Sequence, residues 1–178
     1  MKELRTDRLI IRRFSENDGE DLYEYFSNPK VLEFEPYKPF TKDESYVEAK
    51  RRASDEKFLA VCLKNGKVIG NIYFAKGEFE TWEIGYVFNE KYWGEGYATE
   101  SLLALMEYAF DKLGTRRIIA MCDPKNPHSW KLLERVGMRR EGTLLQNIYF
   151  FTNEEGNPIW KDTYEYAILS SEFIQRSK

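Results

Sequence analysis

Tyr92-Trp93-Gly94-Glu95-Gly96-Tyr97-Ala98-Thr99 lies between two stretches of different texture. On its N-terminal side, Phe58–Leu63, Val68–Ala75 and Phe79–Phe88 are β-branched and aromatic runs bounded by turn formers, the composition of strands. Asn65-Gly66 separates the first two and suits the positive φ angles of a tight hairpin turn. Lys76-Gly77-Glu78 turns the second run into the third, so an antiparallel meander is predicted. On the C-terminal side, Leu102, Leu103, Met106, Tyr108, Phe110 and Leu113 recur at helical spacing until Gly114 ends the pattern. Arg117–Cys122 follows as a short apolar strand. A meander with one strand–loop–helix–strand crossover predicts a mixed α/β sheet.

Gly94 and Gly96 let the backbone turn sharply and approach a ligand closely. The helix that starts near Ala98 directs its unpaired N–H groups and the positive end of its dipole into the loop, which suits a phosphate. A tight turn and nothing more would ask for the same glycines. A Walker loop is excluded because Gly96-Tyr97-Ala98 lacks the lysine. A dinucleotide fingerprint would put its third glycine at Thr99, with Asp123 imitating the ribose-binding acid, but the meander does not build a doubly wound sheet.

Outward from this unit, Thr6–Phe14 alternates as a first strand, Ser15–Asp18 offers helix caps, and Leu22, Tyr23 and Phe26 form an apolar face that stops at Asn28-Pro29. Pro36 and Pro39 mark a loop. Thr41-Lys42-Asp43-Glu44 has capping-box spacing, which predicts a helix over 42–54. Asn126-Pro127 opens another helix, which Gly137 closes. Leu144–Phe151 and Tyr164–Leu169 read as late strands joined by a polar turn around Glu154-Glu155-Gly156-Asn157.

The chain has 178 residues, a length that suits one domain. A domain of this size buries roughly 70% of its unfolded surface, so its core needs no metal or disulfide staple. A hydrophobic fraction of 42% and an aromatic fraction of 16% argue against disorder. With 27 Lys and Arg against 30 Asp and Glu, the charge is −3, which argues against a dedicated nucleic-acid binder. Cys62 and Cys122 sit in apolar runs and His128 is the lone histidine, a poor inventory for a metal site. Phe58–Leu63 is the longest apolar run, far short of the ~20 residues that span a bilayer. Met1–Asn17 has no apolar signal core, so no membrane partner is expected and a cytoplasmic location is.

The loop from Trp93 to Thr99 resembles the coenzyme-A pyrophosphate loop, Q/R-x-x-G-x-G/A, of the GNAT N-acetyltransferases. Asn126-Pro127-His128-Ser129, leading into a helix that ends at Gly137-Met138, is similar to the second signature of that superfamily. Thr6-Asp7-Arg8-Leu9-Ile10-Ile11-Arg12, Glu83-Ile84-Gly85-Tyr86 and Trp160-Lys161-Asp162 resemble the RimJ/RimL branch, named for ribosomal-protein N-terminal acetyltransferases. The resemblance implies one GNAT-like acetyltransferase domain over 1–178. Its central sheet would be mixed, mostly antiparallel, splayed in the middle and flanked by helices on both faces. It also implies acetyl-CoA as co-substrate, no metal, and an amine acceptor that is a peptide N-terminus or a small molecule such as a polyamine.

By the same resemblance, Trp93, Gly94, Glu95, Gly96, Tyr97, Ala98 and Thr99 hold the coenzyme. Val87 and Phe88, on a strand bulged in relatives, meet the pantetheine and the thioester carbonyl. Asn126 hydrogen-bonds the coenzyme or merely caps its helix, and Lys131 meets a coenzyme phosphate or solvent. Trp93 takes the usual Gln/Arg position, and the tyrosine that many members use as general acid falls at Leu133, which has no proton to give. Ser129 stands nearby as donor to the leaving thiol, or as a hydroxyl serving the helix N-terminus. A thiol with pKa near ~8.5 leaves with little help, whereas a lysine amine near ~10.4 must first lose a proton and an α-amine near ~8 needs less assistance. Glu83 is the candidate base, directly or through water, or else a salt-bridge partner. His128 reads more simply as a surface residue.

Tyr37, Trp82, Tyr86, Trp130, Tyr149, Phe150 and Trp160 suffice to line an acceptor groove or to fill a core. Slight negative charge favours a cationic acceptor. The loss of the tyrosine at Leu133 leaves open a non-catalytic acyl-CoA sensor, and the loop a dinucleotide-binding oxidoreductase. The late hairpin, Leu144 to Ile168, is the expected face if two copies pair.

Overall fold

A computed structural model describes residues 3–176. Strands β1 (Leu4–Arg5) and β2 (Leu9–Arg13) lead through a single 3-10 turn at Glu16–Asp18 to helices α1 (Gly19–Phe26) and α2 (Lys42–Ser54). The meander is β3 (Phe58–Leu63), β4 (Val68–Lys76) and β5 (Thr81–Phe88). Helix α3 (Tyr97–Lys112), β6 (Arg117–Cys122), α4 (Pro127–Arg135), β7 (Arg139–Thr152), β8 (Pro158–Leu169) and α5 (Ser170–Arg176) complete the chain. The eight strands form one sheet in the order β1-β2-β3-β4-β5-β6-β8-β7.

Every adjacent pair is antiparallel except β5 and β6. That parallel pair is short: Thr81, Trp82 and Glu83 oppose Arg117, Ile118 and Ile119. Beyond Glu83, β5 stays on β4 as far as Phe88, and beyond Ile119, β6 stays on β8 as far as Cys122. The two strands therefore diverge and the sheet opens between them. A lone parallel pair does not make a doubly wound sheet, so the dinucleotide-binding alternative does not hold.

The expected bulge at Val87 and Phe88 is a correction. The β4–β5 ladder runs unshifted from Lys76 opposite Trp82 to Gly70 opposite Phe88, and the nearby irregularity lies instead at Val61/Cys62 in the β3–β4 pair. Gly70 accounts for the close approach that carries β5 along β4. A Cβ there would come within 2.5 Å of the Phe88 ring and 2.7 Å of the Val87 carbonyl. Strand direction at the opening thus follows tight packing on β4 rather than an extra residue in β5.

Helices cover both faces because strand alternation leaves both apolar. On the α3 side, Ile72, Ile84, Ile118, Leu102, Leu105 and Met106 share one core. On the α1/α2 side, Leu22, Phe26, Ala49, Ala60, Val68 and Val87 share another. Each fully buried aliphatic side chain contributes about 1.5–3 kcal/mol.

Several boundaries differ from expectation. Thr6 closes a turn, donating its N–H to the Leu9 carbonyl at 3.0 Å, so the first strand shortens to Leu9–Arg13 and β1 precedes it. Phe79 and Glu80 adopt φ of 53° and 55°, which delays β5 to Thr81. The late strands are longer than their apolar runs. Glu141 extends β7 through ion pairs with Arg139 and with Arg117, which hydropathy does not register. Mid-strand, Gln146 takes φ 48° while its N–H bonds the Asp162 carboxylate at 2.7 Å, and the register shifts between Leu144 and Ile148.

Candidate active site

The loop after β5 ends in two left-handed glycines, Gly94 at φ 81° and Gly96 at φ 80°. Gly96 is the N-cap residue of α3 and supplies no side-chain cap, so the first-turn amides of that helix stay available to an anion. A Cβ at Gly94 would meet open space within 4 Å, so the backbone rather than crowding demands glycine there. Arg8 braces the loop from the edge of β2. It donates to the Glu95 carbonyl at 2.9 Å and to Glu100 at 2.6 Å, and its guanidinium lies 4.5 Å from the centre of the Tyr97 ring. Burial opposes ionisation of Glu100, yet the Thr6 hydroxyl at 2.5 Å and Arg8 hold its pKa below the usual value. At the end of α4, Arg135 donates to the Thr99 hydroxyl at 3.4 Å. Two guanidinium groups thus flank an uncapped helix N-terminus, a donor set that fits a diphosphate.

Trp93 donates its indole N–H to the Phe88 carbonyl at 2.8 Å, tying the loop to the open end of β5. Its half-exposed ring stacks on His128 at 6.2 Å, which makes His128 a packing partner at the surface. Val87 and Phe88 are both buried, on opposite faces of β5, and Lys131 holds its ammonium 5.4 Å from the Trp130 ring.

Inside the opening, Tyr86 of β5 reaches across to α4. Its hydroxyl donates to the Ser129 carbonyl at 3.1 Å and stands 3.0 Å from Ser129 Oγ. The Ser129 N–H is capped by Asn126 Oδ1 at 3.2 Å, so both residues named for coenzyme or proton contact also hold the helix start. Burial raises the Tyr86 pKa above its ordinary value, against the opposing Ser129 hydrogen bond. Burial likewise pushes the Cys122 thiol up to about 11, again opposed by Ser129. Leu133 is wholly in the core. A tyrosine–serine hydroxyl pair therefore bridges the opening, with the phenol supplied by β5.

Glu83 is exposed and marks the root of the opening, at the last parallel pair. Alternation along β5 turns it to the α1/α2 face, away from Tyr86 and Ser129. There it lines an open groove of about 430 Å³ with Tyr73, Lys76, Arg117 and Glu165. The structure does not bring the two candidate catalytic side chains together on one face.

On that α1/α2 side, the segment between α1 and α2 meets β8. Lys161 pairs with Asp123 at 2.8 Å and holds its ammonium 5.6 Å from the Phe34 ring and 5.4 Å from Phe150. Burial pushes the neighbouring Glu35 carboxyl up to about 7, although Arg52 and Lys161 oppose the rise. Of the aromatic set, Tyr37 packs on Phe26 and Phe40, Trp82 stacks on Phe74 at 4.5 Å, and Tyr149 and Trp160 pair on the exposed hairpin. Tyr86 adjoins the opening, and the Phe150 ring lies by the Lys161 ammonium. Arg8 and Arg135 carried no periodicity that would have singled them out for the site.

A sheet opened at one parallel pair, with an uncapped helix N-terminus beside the gap, is an architecture suited to a phosphate-bearing ligand. The family model described as "Acetyltransferase (GNAT) domain" matches residues 8–139, and the chain belongs to that family of acyltransferases. It is 39% identical over 172 residues to the uncharacterized N-acetyltransferase YnaD of Bacillus subtilis, covering 94% of this chain and 97% of that one. A GNAT-family acetyltransferase from Bacillus anthracis superposes with a TM-score of 0.86 at 37% identity, covering 96% of this chain and 99% of the other. The [ribosomal protein uS5]-alanine N-acetyltransferase of Escherichia coli is 28% identical over 155 residues, covering 78% and 79% of the two chains, in keeping with the RimJ/RimL-like branch. Among the described residues, no helix is long and apolar enough to cross a membrane, and no group of three or more His, Cys, Asp or Glu is placed to hold a metal.

Proposed function

We propose that this chain acetylates a cationic primary amine, either the α-amine of a peptide or a small molecule such as a polyamine, with acetyl-CoA as donor. The observation that carries the reading is the uncapped α3 N-terminus beside the β5/β6 opening. The amides of Tyr97, Ala98 and Thr99, with Arg8 and Arg135, hold the pyrophosphate. Trp93 and Glu95 shape the loop, Asn126 and Lys131 contact the coenzyme, and the backbone at Val87 and Phe88 lies along the pantetheine. Bound acetyl-CoA supplies an activated acyl carbon and a thiol leaving group. Ser129, with Tyr86 on its hydroxyl, donates a proton toward the departing sulfur, and Glu83 receives through water the proton that the nitrogen sheds as the C–N bond forms.

The test joins calorimetry with acetyl-CoA to a thiol-release assay against N-terminal peptides, lysine peptides, polyamines and aminoglycosides. Gly94→Val with Gly96→Val forces side chains into left-handed backbone and is expected to abolish acetyl-CoA binding in a folded protein. Retained affinity in that double variant sinks the loop assignment. The exposed hairpin of β7 and β8 is the face we assign to pairing of two copies; light scattering that shows a monomer at high concentration removes that assignment.

A further inference from the structure

Trp93 is held differently from its neighbours in the glycine loop. Tyr92 and Tyr97 pack against the core on the α3 side, whereas the Trp93 indole is 40% exposed and belongs to neither core. Three polar contacts hold it instead. The indole N–H donates to the Phe88 carbonyl at 2.8 Å, the ring stacks on His128 of α4 at 6.2 Å, and the Lys30 ammonium lies 5.6 Å from the ring centre. The loop has other supports: Arg8 grips the Glu95 carbonyl, and Gly94 and Gly96 set the turn. The place of the Phe88 carbonyl follows from the ladder. The Asn89 N–H bonds the Ile69 carbonyl at 2.9 Å, so alternation turns the Phe88 carbonyl away from β4, toward the edge that β6 has left. A bare strand edge inside a sheet invites stray pairing, and a carbonyl withdrawn from water needs a donor. The indole meets that need from within the chain.

We propose that Trp93 is an exchangeable latch: its indole N–H guards the Phe88 carbonyl in the free protein and yields it to an amide N–H of the coenzyme's pantetheine arm. One donor replaces another on the same oxygen, so the exchange gives up only the ring's contacts with His128 and Lys30. An indole buried in a core could not leave at so small a cost. The inference rests on the acetyltransferase reading and adds to it a side chain that must move before the arm can lie along β5.

Indole N–H exchange in the wild-type protein, followed by NMR, tests the latch directly. The four tryptophans give four indole signals, and assignment through the backbone singles out Trp93. In the free protein its N–H should exchange slowly with water, and saturation with coenzyme A should speed that exchange about tenfold or more. Adenosine 3′-phosphate 5′-diphosphate carries the coenzyme's phosphates without the pantetheine arm; it should bind the loop and leave the N–H protected. Calorimetry supplies a second readout. Trp93→Phe keeps a ring for His128 and Lys30 but has no N–H, so acetyl-CoA should bind it about 2- to 10-fold more tightly than the wild type. Its affinity for adenosine 3′-phosphate 5′-diphosphate should match that of the wild type. A side chain that merely braces the loop predicts the opposite sign, weaker binding of both ligands. Should the variant fail to fold, the wild-type exchange measurement decides by itself. Protection that survives saturation with coenzyme A, or a folded Trp93→Phe variant whose acetyl-CoA affinity is unchanged or weaker, overturns the latch alone. A wild type that binds neither acetyl-CoA nor coenzyme A overturns the acetyltransferase reading, and the latch with it.

Discussion

Arg8 shows how a single side chain far from the glycines in sequence decides whether they form a site. It joins the Glu95 carbonyl, the Glu100 carboxylate and the Tyr97 ring, so one guanidinium sets both the exit of the loop and the entry of the helix. Arg8→Ala is expected to keep the fold and weaken acetyl-CoA binding by about tenfold or more, since charge-assisted hydrogen bonds are worth roughly 1.5–3 kcal/mol. Calorimetry together with a melting curve separates that outcome from general destabilisation; unchanged affinity would mean that the loop holds its shape without the brace. The glycines themselves were legible, because only glycine takes positive φ at such low cost. The partnership of Arg8 with residues some ninety positions away was not, because nothing local requires it.

At the level of elements, helix starts were the most legible feature. Thr41 accepts from the Glu44 N–H at 3.3 Å and the Glu44 carboxylate accepts from the Thr41 N–H at 2.7 Å, the capping box that the spacing predicted. Thr41→Ala should therefore cost about 1 kcal/mol, read as a lowered melting temperature with acetyl-CoA affinity intact. Strand ends were less legible. Phe79 is among the most β-prone residues, yet it sits exposed in a left-handed turn, because Gly77 and Thr81 close a backbone bond at 2.8 Å around it. Turn closure between neighbours outweighed side-chain preference there. Charge pairing did the same for the start of β7, where Arg139 and Glu141 extend a strand that carries no apolar alternation.

Across the whole molecule, the α1/α2 layer is tied to the central strands by charges as well as by its apolar face. Glu24 of α1 bonds Lys67, at the entrance to β4, and Lys91, in the turn before the glycine loop. Those two hydrogen bonds lower its pKa from 4.5 to about 2. Because the folded value is depressed, the contribution to stability is present above about pH 4.5 and is lost as pH falls toward 2. Lys67→Met should flatten that acid limb of the stability curve, measured by urea unfolding at a series of pH values. A limb of unchanged slope would show that Glu24 does not report on the junction.

By itself, the sequence determined the meander, the glycine loop, the helices around it and the order in which they come. Those features follow from periodicity, turn chemistry and capping, all of which act within a few residues of chain. The family resemblance also followed from that order. Tertiary structure alone decided that β5 and β6 part after one short parallel stretch and that Tyr86 takes a place on Ser129 while Leu133 is buried. Each of these depends on which neighbours remain available once the sheet has packed. Burial and pairing are properties of the assembled fold, and no local pattern in the chain encodes them.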